Sequence, residues 1–285
     1  MVEGFLNTKG GRIWYSVYGK GQAKTPILVI HGGPGFLSMP EVVSDFSTER
    51  PVYFYDQLGS GKSDKAKDKN YYSLENFIEE LDEVIRGLNL SEVILMGFSW
   101  GCGLASAYML EKKPSVVKAL ILCAPLLSSS RWDKDQRDNI ARMPLNVIKA
   151  IENGEKNGDF GDEYQAGMME YYKKHVCRLD PWPDYMVEAF DKLNMDVYMT
   201  MWGPSEFTIS GKLKNFELYP RLYEITVPVL LTCGDMDEAG VKTLKDFQMA
   251  FPHAYLAVIP NASHQHHIER PQIYKSIISE FLKDK

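Results

Sequence analysis

Apolar positions in this chain follow two periods. Short runs in which nearly every residue is apolar recur at Pro26-Ile27-Leu28-Val29-Ile30, Val52-Tyr53-Phe54-Tyr55, Val93-Ile94-Leu95-Met96 and Ala119-Leu120-Ile121-Leu122-Cys123. Two more follow at Val227-Pro228-Val229-Leu230-Leu231-Thr232 and Tyr255-Leu256-Ala257-Val258-Ile259. Runs this short and this uniform predict strands covered on both faces, as in a parallel sheet. Between them the spacing turns helical. Leu74, Phe77, Ile78, Leu81, Val84, Ile85 and Leu88 share one face behind a capping Ser73, predicting a helix to about Asn89. Further helices are predicted over Leu104–Leu110, near 240–250, and from about Pro271 to Leu282. Residues 11–18, aromatic and β-branched, predict an antiparallel N-terminal strand. Strand–helix–strand alternation of this kind means a parallel sheet with right-handed crossovers.

The pattern changes between about Leu126 and Pro220. Short amphipathic stretches rich in Met, Tyr and Trp appear there, broken by Gly154, Gly158, Gly161, Pro181, Pro183, Gly203 and Pro204, with no strand-like run. The fold expected is therefore α/β: a mostly parallel, doubly wound sheet with an inserted helical cap. Residues 1–125 and 220–285 form the core of that expectation, and 126–219 form the cap.

A length of 285 residues suits one large domain or a domain with an insertion. The net charge of −6 offers no basic patch, so nucleic acid is not an expected partner. No long apolar run predicts a membrane span, and Met1-Val2-Glu3-Gly4 does not open a signal peptide. Cys102, Cys123, Cys177 and Cys233 are scattered without C-x-x-C spacing and read as buried reduced thiols of a cytoplasmic protein. Oligomeric state stays open, a monomer being sufficient.

Candidate chemistry centres on Gly97-Phe98-Ser99-Trp100-Gly101. A buried strand precedes this G-x-S-x-G and a helix follows, the layout of a nucleophile elbow. A serine hydroxyl needs a base to take its proton, and the base needs an acceptor to orient it. In a doubly wound hydrolase the order is Ser, acid, His, each after a strand. The acid then falls in Gly234-Asp235-Met236-Asp237-Glu238 and the base in Ser263-His264-Gln265-His266-His267. Asp237 is favoured over Asp235, whose plainer role is to steady the turn. His264 is favoured as base. His266 is the alternative, and both it and His267 otherwise read as surface or helix-start residues. His31 precedes the serine and reads as a packed residue orienting its glycine loop. The three neighbouring histidines lack a further pair at ligand spacing, so no metal is expected. Two backbone N–H groups would receive the developing oxyanion, that of Trp100 and most simply that of Gly33 in His31-Gly32-Gly33-Pro34-Gly35.

These segments together resemble the proline iminopeptidase (prolyl aminopeptidase) family of the α/β-hydrolase fold. The resemblance rests on H-G-G-P-G at 31–35, D-Q-x-G-x-G-x-S at 56–63, G-x-S-W-G at 97–101, G-P-S-E-F at 203–207, G-x-x-D-E at 234–238 and Ser263-His264. It implies a cofactor-free serine aminopeptidase acting on short peptides or amino acid amides with a free N-terminus, preferably proline. It implies Ser99 as nucleophile, Asp237 as acid, His264 as base, and Glu206 and Glu238 as the carboxylates that bind the substrate's amino group. One departure is Cys102, where members often carry a second glycine; it is expected to pack below the elbow. Trp182, Trp202 and Phe207 are candidates for the apolar wall of the pocket. Rival readings are an L-amino acid amidase or small acyl-ester hydrolase on the same triad, and a non-catalytic receptor that keeps the fold.

Overall fold

The computed structural model describes residues 1–285. The apolar runs become the centre of one sheet, and the helical stretches cover its two faces. In chain order the first strands are β1 (Val2–Asn7), β2 (Arg12–Tyr18), β3 (Ile27–Ile30) and β4 (Val52–Tyr55). Helix α1 (Leu74–Gly87), strand β5 (Val93–Phe98), helix α2 (Trp100–Lys112) and strand β6 (Val117–Cys123) follow. Five helices come next: α3 (Ser129–Ile140), α4 (Leu145–Asn157), α5 (Asp162–His175), α6 (Asp184–Asp191) and α7 (Met195–Met201). The chain then returns to the sheet with β7 (Val229–Gly234), α8 (Val241–Ala250), β8 (Ala254–Ile259), the single turn α9 (His266–Glu269) and α10 (Pro271–Leu282).

The strands lie in the order β1-β2-β4-β3-β5-β6-β7-β8. From β4 to β8 all pairs are parallel, and β1 and β2 join antiparallel at one edge. Strand β1 was not visible in the hydrophobic pattern. It sits at the sheet edge with Val2 and Phe5 about half exposed, so its order comes from pairing with β2 and not from burial.

Local chemistry explains the helices. Ser73 caps α1, its Oγ accepting the N–H of Asn76 at 3.3 Å, and Phe77, Ile78, Leu81, Val84 and Ile85 turn inward. Helix α2 is buried on nearly all sides from Trp100 to Leu110, which Gly, Ala, Ser and Cys make possible and which leaves no amphipathic stripe. All four cysteines are buried and unpaired.

The stretch between β6 and β7 contributes no strand to the sheet. Its two ends are fastened together: Leu218 N–H donates to the Leu127 carbonyl at 2.9 Å and Ser129 N–H to the Phe216 carbonyl at 2.8 Å. Its apolar residues Ile140, Val147, Ile151, Tyr164 and Tyr171 belong to the same cluster as Ile94, Met96 and Ile121 of the sheet. The insertion therefore packs into one core with the strands that carry the site. No helix is long and apolar enough to cross a membrane.

Candidate active site

Ser99 stands between β5 and α2 with φ 51° and ψ −115°, a conformation that costs energy for a residue with a Cβ. Gly97 and Gly101 make it possible. A Cβ on Gly97 would lie 2.6 Å from the Gly101 carbonyl, and one on Gly101 would collide with the Ile30 carbonyl. Trp100 is the first residue of α2, so its N–H has no partner within the helix. The glycine loop comes close beside it: a Cβ on Gly32 would touch Ser99 Cβ at 3.4 Å, and Gly33 needs φ 111°. Gly33 and Ser99 line the same cavity, and Trp100 directly follows Ser99 in the chain.

His31 and Gln57 fix this loop. His31 Nδ1–H donates to the Gly32 carbonyl at 2.8 Å while its Nε2 accepts the N–H of Gln57 at 2.9 Å. Gln57 in turn donates to the His31 carbonyl and accepts from Trp100 Nε1, both at 2.9 Å. One glutamine thereby ties the glycine loop to the elbow helix.

The loop after β7, expected to carry the acid, and the loop after β8, expected to carry the base, meet. His264 Nδ1–H donates to Asp237 Oδ1 at 2.9 Å. Asp237 is completed by backbone donors, Ala239 N–H at 2.9 Å and Gly234 N–H at 3.3 Å. Burial lowers the basicity of His264, but the charge and hydrogen bond of Asp237, with Glu206 and Glu269 further off, outweigh it, and its pKa is raised. Asp235 takes the other role: its Oδ1 accepts Ala262 N–H at 3.2 Å and joins the acid loop to the base loop.

Ser99, His264, Glu206 and Glu238 line one cavity. Glu238 is fully buried, and neither carboxylate oxygen has a hydrogen-bond partner. Burial, then the neighbouring Glu206 and Asp237, push its pKa well above the carboxylate range. Glu206 is half-buried and accepts the Tyr198 hydroxyl at 2.7 Å. Its pKa is also raised, by burial, against the opposing influence of Tyr198 and His264. The imidazole Nδ1 of His264 lies 3.6 Å from Glu238 Oε1, and no lysine or arginine pairs with either carboxylate.

Several expectations need correction. The cavity's apolar wall includes Phe36, Leu37, Met39, Phe98, Met186 and Phe190. Trp182, Trp202 and Phe207 are absent from it. Trp202 packs edge-on to Trp132, Phe207 on Tyr164 and Tyr171, and Trp182 on Phe190, so all three serve the packing of the insertion. His266 does begin a helix but is wholly buried, its Nε2 beside Thr232 Oγ1 at 2.9 Å. His267 is buried against Phe98 and lines the cavity. Runs of histidine read as surface in a sequence, and only the packing of α9 under the site reverses that. Cys102 lies beneath the elbow, its thiol donating to the Cys123 carbonyl at 3.3 Å, and burial pushes its pKa well up.

Tyr198 and Trp132 join the site without a signal in the sequence. Trp132 Nε1 donates to the Glu206 carbonyl at 2.9 Å and its ring stands edge-on to His264 at 5.7 Å. Both come from insertion helices, where nothing in the spacing of aromatics separates a site residue from a core one.

The comparisons with known proteins agree with this architecture. The family model described as the alpha/beta hydrolase fold matches residues 25–271. A proline iminopeptidase of Heyndrickxia coagulans is 40% identical over 99% of this chain and 98% of its own length. Among solved structures, VinJ superposes with a TM-score of 0.95 at 29% identity, covering 99% of this chain and 98% of that one. The proline iminopeptidase of Mycobacterium smegmatis superposes with a TM-score of 0.90 at 28% identity, with the same coverage of each chain.

Proposed function

This chain belongs to the proline iminopeptidase family of the α/β-hydrolase fold, and on that premise we propose that it is a serine aminopeptidase releasing an N-terminal residue, preferably proline, from short peptides. The observation that carries the reading is the pair of carboxylates, Glu206 and the unpartnered Glu238, in the cavity that holds Ser99 and His264. A substrate's α-ammonium supplies the missing positive charge and donors, and its capture sets the register so that the first peptide carbonyl meets Ser99.

Ser99 Oγ attacks that carbonyl carbon while His264 Nε2 takes the hydroxyl proton. Asp237 steadies the imidazolium through Nδ1–H, and the N–H groups of Trp100 and Gly33 receive the oxyanion. As the tetrahedral species collapses, the C–N bond breaks and His264 passes its proton to the departing amine. Water, deprotonated by His264, then attacks the acyl–Ser99 ester; the ester bond breaks, His264 returns the proton to Ser99 Oγ, and the residue is freed. Apart from the hydrolytic water, every step draws on groups of this chain. In this reading residues 126–219 act as a cap over a core of 1–125 and 220–285. The substrates are free N-terminal peptides or amino acid amides, and the four buried thiols suit a cytoplasmic enzyme. An L-amino acid amidase or small acyl-ester hydrolase on the same triad is the alternative, and no observation favours it.

The test is release of a fluorogenic amine from prolyl, alanyl and N-acetylprolyl amides, with Ser99→Ala as control. Cleavage of the free prolyl amide that disappears on acetylation and in the variant is the expected result. Equal cleavage of the acetylated amide would sink the amine site while leaving the triad standing.

A further inference from the structure

Hydrogen bonds leave the last residue of α5 in two directions. The imidazole Nδ1–H of His175 donates to the Met236 carbonyl at 2.9 Å, one residue before Asp237. The carbonyl of the same residue accepts the N–H of His264 at 3.0 Å, and the next carbonyl, of Val176, accepts that of Gln265 at 2.8 Å. Carbonyls in the last turn of a helix have no partner within it and go to water or to a cap. Here they go to the loop that carries the base. A third tie lies alongside: Glu269, buried, accepts the N–H groups of Ser263 and of Arg178, each at 3.3 Å. The end of one insertion helix thus grips both the acid loop and the base loop.

The state of the imidazole is defined by its surroundings. With Nδ1 carrying the proton, Nε2 is buried and has no partner. The ring lies on Tyr171 at 4.9 Å, tilted by 36°. Burial lowers its pKa, Lys174 and Arg142 lower it further, and the Met236 carbonyl and Asp237 oppose them, so the neutral form is favoured. A neutral imidazole that donates one hydrogen bond is a spacer, not a proton carrier.

We propose that His175 is a positioning residue for the reaction, setting the distance between Asp237 and His264 by bonding the backbone of both loops. The proposal rests on the reading of Asp237 and His264 as acid and base. It makes the seating of the cap a condition for an aligned triad, because the spacer belongs to the cap and the groups it spaces belong to the core.

The experiment compares His175→Phe, which keeps a ring on Tyr171 but cannot donate, with His175→Asn, whose amide nitrogen takes the place of Nδ1. Should the phenylalanine variant not fold, His175→Leu against His175→Asn, two side chains of like size, carries the same comparison. Thermal unfolding confirms that each variant compared is folded. With a prolyl arylamide, the non-donating variant should lose about tenfold in kcat with KM within about twofold. The acidic limb of its kcat/KM profile should move to lower pH as Asp237 loses its hold on His264, and asparagine should restore both. An unchanged kcat and limb in the non-donating variant would overturn the proposal. So would an equal loss in the asparagine variant, since packing and not the hydrogen bond would then be at work. His264→Ala is the separate control: activity surviving there would overturn the acid–base reading itself.

Discussion

Asp237 and Glu238 are neighbours in sequence, on one loop, both buried, and the fold treats them oppositely. Asp237 receives three hydrogen bonds, from His264 and from the N–H groups of Ala239 and Gly234. Glu238 receives none. A buried carboxylate given its donors by the protein is set before any substrate arrives. One left without them waits for a ligand to supply the charge, and until then its acid form is favoured. On the proposed reading the two halves of the site differ in this one respect: the acid of the proton-transfer half has its donors complete within the protein, and the recognition half is completed by what it binds.

The largest expected effect breaks the complete half. Asp237→Asn keeps size and packing but cannot hold the Nδ1–H tautomer of His264, so kcat should fall by about ten-thousandfold with little change in KM. Steady-state kinetics on a prolyl arylamide checks it, and a loss below tenfold would contradict the assignment. Next comes the incomplete half. Glu238→Gln should cost about a hundredfold in kcat/KM for substrates with a free amine, the scale of removing one partner from a buried charge pair. Glu206→Gln should cost less, because Tyr198 already satisfies part of that carboxylate.

The same substitution sharpens the comparison through stability. The pKa of Glu238 is raised in the folded protein from an ordinary 4.5, so the folded state holds a proton that the unfolded state has released. Stability therefore falls as pH rises from about 4.5 toward the folded-state value, and Glu238→Gln removes that loss. Its Tm should match or exceed that of the unaltered protein, with the gap widening toward alkaline pH; Asp237→Asn should lower Tm instead. Calorimetry between pH 5 and 9 separates the two. The smallest effect is the position of the acidic limb. His264 must be neutral to accept the serine proton, and its pKa lies above 6.5, so kcat/KM should decline as pH falls through a value above 6.5. A midpoint below 6 would contradict the hold of Asp237.

Much of the complete half is legible in the sequence, because backbone geometry constrains it. The elbow demands Gly97 and Gly101 around Ser99, and strand ends fix where the acid and the histidine fall. The parallel strands show as uniform apolar runs for the same reason, being covered on both faces. Elements ordered by pairing and not by burial leave no such trace, as with β1. The recognition half is written less plainly. Glu206 and Glu238 emerge from a resemblance to a family and not from periodicity, since a buried carboxylate has no pattern of its own. The wall of the cavity is hardest. Phe36, Phe98, Met186 and Phe190 come from three separate segments, the glycine loop, the end of β5 and α6, and Trp182, Trp202 and Phe207 look no different from them until the packing is known. His175 and His267 are hidden for the same cause, one at a helix end and one in a histidine run whose burial depends on α9.

The central claim is that recognition is of the amine. It is tested most directly by the ratio of kcat/KM between a prolyl arylamide and the cyclopentanecarbonyl arylamide, which keeps the five-membered ring and lacks the amine. The two are compared in the unaltered enzyme and in Glu206→Gln/Glu238→Gln. A preference of about a hundredfold or more for the prolyl substrate is expected, collapsing toward unity in the double variant. Equal cleavage of both substrates by the unaltered enzyme would contradict it.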